Sequence, residues 1–200
     1  MNADESAPLR PDSPALYAAS KAEAERLARE ASRPGFESVV LRPRFVWGAG
    51  DTTLLPEIIA ATEAGRFAWV GGGNHRTSTT HVENVAEGLL LAAERGRAGE
   101  AYFLTDGEPV VFREFISQML EARGVEPAKR SVPTAVAGAL ARGGELAWRL
   151  LPLPGEPPLT RFAFWAASQE CTLDDSKARS ELGYMPVTTR EQGLAGLAAA

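Results

Sequence analysis

The stretch YAASKAEAERL at residues 17–27 decides how this sequence is interpreted, because it places Tyr17 and Lys21 four residues apart. Ser13 and Pro14 supply a helix N-cap and a first-turn proline, so we expect a helix over residues 14–31. On a helix, side chains four positions apart leave the same face one turn apart. The sequence therefore predicts that a phenol and an ammonium lie side by side.

A phenol and an ammonium at this spacing can perform acid/base chemistry. A free phenol has a pKa of ~10, too high for a general base at neutral pH, and a nearby cation lowers that pKa. A tyrosine of this kind can accept the proton of a secondary alcohol while hydride passes to a nicotinamide, or return the proton during reduction. A Tyr-x-x-x-Lys match alone also fits a surface tyrosine beside a solvated lysine, so the rest of the sequence has to decide.

The sequence that follows alternates between strand and helix patterns. A β-branched run over residues 38–42 is stopped by Pro43 and followed by a loop at residues 45–51, the typical order of a buried strand that leads into a site loop. Strands are also predicted at residues 67–70 and 101–105, and helices at residues 54–63, 83–95, 112–122, 135–151 and 175–182, the last of which is expected to close the fold. This alternation predicts an α/β fold. Ordinary sheets have about five or six strands, so we expect the chain to hold only part of one.

Glycines and histidines in the middle of the chain allow two interpretations each. The run Gly71–Gly73 with Asn74 could cradle a phosphate, but no helix start follows it, so we expect a hairpin turn between residues 67–70 and a return strand at residues 77–82. His75 and His81 have no carboxylate or cysteine at ligand spacing. We therefore predict polar pocket or surface positions for both histidines and no metal site.

Two further features favour ordinary structural roles. The apolar helix at residues 135–151 is expected to pack in the core, although a lid over an apolar substrate or a surface that touches a membrane or a partner stays open. Glu25 and Glu83 are predicted to be solvated charges on helix faces, because nothing in the sequence brings them together.

Composition limits the kind of protein and the kind of partner. The 200 residues are 44% hydrophobic, which is sufficient for one folded soluble domain. The formal net charge of −5 argues against binding to nucleic acid and favours a small-molecule substrate. Cys171 is the single cysteine, so no internal disulfide is possible. Without an export signal or an apolar run of ~18 residues, we expect a cytoplasmic protein with no stable membrane insertion.

Five motifs in order along the chain resemble one known superfamily. They are YAASKAEAERL at residues 17–27, VLRP at 40–43, VWG at 46–48 with Asp51, HVENVA at 81–86, and DSKARSELGYMP at 175–186. Together they resemble the second half of the extended short-chain dehydrogenase/reductase superfamily, the NAD-dependent epimerase/dehydratase family. Residues 2–6 and 157–161 are most similar to its branch of 3β-hydroxysteroid dehydrogenase/isomerases and sterol-carboxylate dehydrogenases.

The resemblance implies a role for each matching residue. It makes Tyr17 the catalytic acid/base, and it makes Lys21 both a catalytic partner of the tyrosine and a ligand of the nicotinamide ribose hydroxyls. The residues that it places against the nicotinamide of NAD or NADP are Pro43, Arg44, Phe45 and Val46. The residues that it places at the substrate are Trp47, Arg76 and His81. No residue is implied as a metal ligand.

The resemblance also implies how the chain is divided. It predicts the C-terminal part of a Rossmann-like, doubly wound parallel sheet at residues 1–48 and 82–112, and a small substrate-binding lobe at residues 49–81 and 113–200. The family's G-x-x-G-x-x-G turn, which approaches the cofactor pyrophosphate, does not occur in this sequence. The family's active-site Ser or Thr, about two dozen residues before the tyrosine, would fall before Met1. We therefore expect a truncated chain.

Two functions follow from this sequence. The first is an NAD(P)-dependent oxidoreductase or epimerase/dehydratase that transfers hydride at a secondary alcohol or ketone of a hydrophobic, sterol-like substrate or of a sugar-like one. The second is a truncated, non-catalytic relative that acts as a binding or interaction domain. Members of the family often dimerise through the helix that bears the tyrosine, so the resemblance allows a homodimer.

Overall fold

The computed structural model describes residues 2–151 and 159–199, with the side chain of Arg149 left out. Pro157 and Pro158 of the 157–161 motif lie outside this range. The strands are β1 (Asn2–Ala3), β2 (Val40–Pro43), β3 (Val46–Trp47), β4 (Trp69–Val70), β5 (Arg76–Thr77), β6 (Thr80–His81), β7 (Ala101–Leu104), β8 (Val110–Val111), β9 (Ser131–Val132) and β10 (Thr172–Leu173). The helices are α1 (Leu16–Glu30), α2 (Leu54–Glu63), α3 (Val82–Arg95), α4 (Phe112–Ala122), α5 (Thr134–Leu150), α6 (Arg161–Ser168) and α7 (Arg190–Ala199).

The longest strand pair joins β2 and β7 in parallel, with Val40 opposite Ala101 and Pro43 opposite Leu104. All four residues of β7 are buried, as expected of an apolar strand that is covered on both faces. The pairs β1–β10, β3–β6 and β4–β9 are also parallel. Among the named strands of the described residues, only β5 and β8 pair in antiparallel fashion. The predicted α/β class with parallel strands is confirmed.

The predicted hairpin around Gly71–Gly73 is wrong. These glycines form a 3₁₀ turn in which each residue has positive φ, a conformation that favours glycine. The strand before the turn pairs in parallel with β9, where the Trp69 amide donates to the Arg130 carbonyl over 2.9 Å. The strand after the turn pairs with β8 instead. The turn therefore redirects the chain between two strand pairs rather than closing one.

The helices around the predicted site match the sequence patterns closely, and those at the end of the chain do not. The bounds of α1, α2, α3, α4 and α5 fall within two residues of the predicted ones. α5 continues through Gly143 and Gly144, although glycine weakens a helix. The predicted last helix at residues 175–182 is mostly a π-helical turn at Ala178–Leu182, and it does not close the fold because α7 follows. α6 and α7 were not predicted.

The core consists of three groups of buried apolar side chains that hold helices against strands. The largest group includes Trp47, Trp69 and five residues of α4, Phe112, Phe115, Ile116, Met119 and Leu120. A second group joins β7 to the π-helical turn through Tyr102, Leu104, Leu182 and Tyr184. A third lies between α5 and α6, where Ala137 and Ala141 pack with Phe164. The predicted core role of the apolar helix is confirmed for its Ala137 and Ala141 face.

Candidate functional site

Tyr17 and Lys21 lie on one face of α1, as the spacing predicts. The Lys21 Nζ is 5.8 Å from the centroid of the Tyr17 ring. The Tyr17 side chain is 54% exposed, and one side of its ring contacts the Phe162 ring at a centroid distance of 4.5 Å. Neither the Tyr17 hydroxyl nor the Lys21 ammonium has a hydrogen-bond partner within the described residues. The pair is therefore open to a ligand.

The position of α1 is fixed by polar contacts with the strand that precedes the site loop. Glu25 accepts hydrogen bonds from Arg42 Nε at 2.7 Å and from Arg42 Nη2 at 2.5 Å. The two side chains are only 8% and 15% exposed. One turn further along α1, Arg29 Nε donates to the Gly99 carbonyl over 2.8 Å. The prediction that Glu25 is a solvated surface charge is wrong, because its partner comes from β2.

The predicted cofactor loop, Pro43 to Val46, leaves the carboxyl end of β2. The carboxyl ends of parallel strands are the usual ligand-binding edge of α/β sheets. The loop is held at Arg44, whose amide donates to Thr80 Oγ1 and whose carbonyl accepts from the same hydroxyl, both at 3.1 Å. Phe45 has a φ of 48°, which is uncommon for a residue with a side chain. The loop is thus a fixed, strained connection at the edge where a ligand is expected.

The predicted substrate residues Trp47 and His81 are buried, and both meet a carboxylate that we did not single out from the sequence. Asp106 accepts hydrogen bonds from Trp47 Nε1, Thr79 Oγ1, the His81 amide and Asn84 Nδ2, at 2.6 to 2.8 Å. The His81 ring packs edge-on against the Trp47 indole at 4.8 Å. These contacts favour structural roles for both side chains. The signal for Asp106 was its place two residues after the end of β7, where the sequence pattern predicted only a turn.

Arg76, the third predicted substrate residue, is exposed on β5. Its Nη2 donates to the Pro109 carbonyl over 3.2 Å. In the described part of the chain, no hydrogen bond or ion pair joins Arg76 to Tyr17 or Lys21. The predicted site residues therefore divide into an open pair on α1, a fixed loop after β2, a buried group around Asp106, and an exposed arginine.

His75 packs against Phe112, a ring that also contacts Phe45 of the loop. Its ring stacks on the Phe112 ring at a centroid distance of 4.9 Å. Burial is the main effect and lowers the pKa of His75. A hydrogen bond with the Ala166 backbone opposes it, the charge of Arg44 adds a smaller lowering, and Glu170 opposes with the smallest effect. Within residues 2–151 and 159–199, no three histidine, cysteine, aspartate or glutamate side chains are grouped to hold a metal ion. In the same residues, no helix is both long enough and apolar enough to cross a membrane.

The open pair on α1 has the donor groups that could hold the nicotinamide end of a dinucleotide. An unpaired lysine ammonium can donate to ribose hydroxyls, and an unpaired phenol next to it can exchange a proton with a substrate oxygen. The Pro43 to Val46 loop contributes backbone and apolar side chains of the kind that flank a flat ring.

Comparison with known proteins identifies the family of the chain. Residues 1–134 match the model of the 3-beta hydroxysteroid dehydrogenase/isomerase family. The chain is 49% identical over 197 residues to a 4-hydroxy-2-methyl-3-oxo-4-farnesyl-3,4-dihydroquinoline-1-oxide ketoreductase of Stigmatella aurantiaca, covering 98% of this chain and 59% of that protein. It is 38% identical to a 2-alkyl-3-oxoalkanoate reductase of Stenotrophomonas maltophilia, covering all of this chain and 62% of that protein.

A solved structure gives the same result for the fold. The dTDP-glucose 4,6-dehydratase DesIV of Streptomyces venezuelae, a double mutant with NAD and DAU bound, matches the whole chain with a TM-score of 0.69 and 25% identity. The match covers 54% of that structure. The chain spans about three fifths of the length of the two reductases named above. By the family match and the identity to these relatives, the chain belongs to the 3-beta hydroxysteroid dehydrogenase/isomerase family, within the extended short-chain dehydrogenase/reductase superfamily.

Proposed function

We propose that this chain carries the proton-transfer site of an NAD(P)-dependent oxidoreductase, with Tyr17 as the acid/base and Lys21 as the ligand of the nicotinamide ribose. The observation that carries the proposal is the open, unpaired Tyr17 and Lys21 pair on one face of α1. When bound, the nicotinamide nucleotide supplies or accepts the hydride. The names of the relatives, which are reductases and dehydrogenases, support the same chemistry.

In this proposal each group of residues has its own task. The Tyr17 hydroxyl gives a proton to the ketone oxygen during reduction, or takes it from the alcohol during oxidation. The Pro43 to Val46 loop lies against the nicotinamide, and its hydrogen bonds to Thr80 keep it in place. Residues 1–48 and 82–112 form the cofactor side, and residues 49–81 and 113–200 form the substrate side, with Arg76 at the mouth between them. The buried Trp47 and His81 side chains pack together beneath the opening between the two sides.

We further propose a hydrophobic ketone or secondary alcohol as the substrate. The side of Tyr17 that is not open to solvent contacts Phe162, and the neighbouring Leu16 is 86% exposed. An apolar substrate would cover the exposed parts of the Tyr17 and Leu16 side chains. The relative from Stigmatella aurantiaca is named for a farnesylated ketone, and the one from Stenotrophomonas maltophilia for an alkylated 3-oxo acid. Both names support an apolar substrate more than a sugar.

A second candidate is a binding or interaction domain without catalysis, including self-association as a homodimer. Its support is the exposure of large apolar side chains on two helices. Leu27 on α1 is 53% exposed, and Leu89 and Leu90 on α3 are 57% and 65% exposed. Such residues can bind a partner surface.

Nicotinamide binding and turnover distinguish the two candidates. We expect saturable quenching of NADH or NADPH fluorescence by the chain, weakened about tenfold or more by Lys21→Met because a charged hydrogen bond is lost. Tyr17→Phe should leave that binding intact and lower ketone reduction by at least ~100-fold, the usual contribution of a positioned general acid. Lys129→Met, which changes an exposed lysine elsewhere, is the matched control. Absence of nucleotide binding, or full turnover by Tyr17→Phe, would reject the proposed function in favour of the second candidate.

A further inference from the structure

The ring of Phe162, on α6, packs against the ring of Tyr17, on α1. The ring centroids are 4.5 Å apart and the ring planes are tilted by 45°. The two helices are distant in sequence, and α6 belongs to the proposed substrate side whereas α1 belongs to the proposed cofactor side. The contact therefore joins the proposed acid/base to an element of the other side.

The orientation of the Tyr17 ring depends on this contact. On a helix, a tyrosine side chain adopts a χ1 of about 180° or about −60°, and the two rotamers send the hydroxyl in different directions. Within residues 2–151 and 159–199, the Tyr17 hydroxyl has no hydrogen-bond partner that would select one of them. The Lys21 ammonium, 5.8 Å from the ring centroid, is carried on a flexible chain of its own. Packing against Phe162 is thus what can hold the half-exposed ring in one rotamer.

Phe162 is itself held in place, because it lies between two anchors of α6 on α5. On one side, the Arg161 amide donates to Glu145 Oε1 over 2.7 Å, and Arg161 Nε lies 2.9 Å from Glu145 Oε2. On the other side, the Phe164 ring packs so closely on α5 that a Cβ at Gly138 would lie 3.1 Å from Phe164 Cζ. A side chain between two such anchors has a fixed origin, so it can restrict the ring that it contacts.

We propose that Phe162 is a positioning residue for the Tyr17 phenol. Its ring selects the rotamer in which the Tyr17 hydroxyl points to the substrate oxygen, and it does so from the substrate side of the molecule. Phe162 itself exchanges no proton and acts only through Tyr17. The inference rests on the proposed function, in which the Tyr17 hydroxyl exchanges a proton with that oxygen.

A positioning role and a substrate contact change different kinetic quantities. Only the fraction of molecules with the phenol in the competent orientation can react, so the loss of that orientation lowers kcat. The loss of an apolar contact with the substrate that is the same in the ground state and the transition state raises KM and leaves kcat unchanged. The two quantities therefore distinguish the two roles of Phe162.

NMR of the protein labelled with ¹³C and ¹⁵N tests the orientation without any turnover. The readout is the pair of three-bond couplings from Tyr17 Cγ to its own backbone nitrogen and carbonyl carbon, which report χ1. The chain has three tyrosines, and Tyr17→Phe identifies the Tyr17 signals. We expect couplings of a single rotamer in the wild type and rotamer-averaged couplings in Phe162→Ala. Phe162→Tyr, which keeps a ring, should restore the wild-type couplings. Phe36→Ala, at an exposed phenylalanine beyond the other end of α1, is the matched control.

The same variants are assayed for reduction of ethyl acetoacetate by NADH and by NADPH. Phe162→Ala should lower kcat about three- to tenfold and leave KM for the ketone and the affinity for the nucleotide within about twofold, because only the fraction of oriented phenol changes. Phe162→Tyr should recover kcat, and Phe36→Ala should leave it unchanged. If Phe162→Ala fails to fold, as judged by its urea midpoint, Phe162→Leu replaces it in both measurements, since leucine keeps an apolar side chain but no ring.

The outcomes separate this inference from the proposed function. A single Tyr17 rotamer in Phe162→Ala, or a raised KM with unchanged kcat, would overturn the positioning role, and the loss of turnover in Tyr17→Phe would still support the acid/base. Full turnover by Tyr17→Phe, together with averaged couplings in Phe162→Ala, would reject the acid/base role of Tyr17 and keep Phe162 as the residue that orients its ring.

Discussion

Glu25 is an acidic residue whose importance depends on where its partner lies. Its carboxylate binds Arg42 within the protein, at 8% exposure, and so joins α1 to β2 behind the candidate catalytic face. Glu23, two residues earlier on the same helix, pairs with Arg26 on the surface, where the two side chains are 44% and 43% exposed. The two pairs have the same chemistry but differ in desolvation, which determines the cost of breaking them.

We therefore predict a large difference between two substitutions on α1. Glu25→Gln leaves the Arg42 charge unbalanced in a mostly buried position and should lower the free energy of unfolding by ~2–4 kcal/mol. Glu23→Gln should change it by less than ~1 kcal/mol, because exposed pairs contribute little. Urea unfolding followed by circular dichroism measures both. Equal, small effects would show that the Glu25 pair contributes no more than a surface pair.

Single residues also show which parts of the site were predictable from sequence. Tyr17 and Lys21 were found because a helix fixes the relation between positions four apart, and the structure places them as predicted. Glu25 and Asp106 were misjudged because their partners are distant in sequence, 17 residues away for Arg42 and 59 for Trp47. Local periodicity carries no information about such contacts. The contact between Tyr17 and Phe162 could likewise be recognised only from coordinates.

Among the elements, those with a strong local pattern were predicted and those that depend on distant pairing were not. α2 and α4 begin and end as predicted, because their apolar positions repeat at the helical period. The glycine turn after β4 was assigned to a hairpin because its length suits one, whereas each residue of β4 pairs with a residue of β9 that lies 62 positions later. α7 has almost no apolar periodicity, and it forms because Leu197 packs into the core that α4 dominates.

Packing between α3 and β7 depends on the absence of a side chain at Gly88. A Cβ at this position would lie 2.4 Å from Leu104 Cδ1, a side chain with no exposure. Gly88→Ala should therefore lower the free energy of unfolding by ~1–3 kcal/mol, because overpacking exceeds the gain in helix propensity. Gly143→Ala on α5 meets nothing within 4 Å and should instead raise it by up to ~1 kcal/mol. Thermal unfolding of both variants checks the pair, and stabilisation by Gly88→Ala would show that Leu104 can move aside.

At the scale of the whole molecule, the fold brings together segments that the sequence keeps far apart. Asn84, from the HVENVA motif, donates to Asp106 and to the Thr188 carbonyl and accepts from the Val187 and Thr188 amides. It therefore ties the start of α3 to the segment after the DSKARSELGYMP motif. The resemblance gave the order of the HVENVA and DSKARSELGYMP motifs along the chain. It did not predict the hydrogen bonds by which Asn84 of the first motif holds the segment that follows the second. The α/β class followed from the alternation of patterns, whereas this closure followed only from the structure.

The stability of the whole protein should depend on pH through His75. Its pKa in the folded protein lies below the ordinary value of 6.5, chiefly because of burial and then because of Arg44. As the pH falls through 6.5, the unfolded chain binds this proton before the folded protein does, so the free energy of unfolding decreases until the pH reaches the folded pKa. The carboxyls of Asp51 and Glu100, whose pKa values are lowered from 3.8 and 4.5, act only at lower pH. For Asp51, burial opposes that shift and the backbone hydrogen bonds at the start of α2 produce it.

The measurement is the difference in the free energy of unfolding between pH 7.5 and pH 5.5, compared between the wild type and His75→Gln. Groups other than His75 contribute equally to both proteins, so subtraction isolates this side chain. We expect the wild type to lose more stability on acidification than His75→Gln does. Arg44→Met should reduce the loss, because it removes the charge that opposes protonation of the ring. Identical acid sensitivity in the wild type and His75→Gln would mean that the His75 proton is bound equally well in the folded and unfolded states, and would contradict a lowered pKa of His75 in the folded protein.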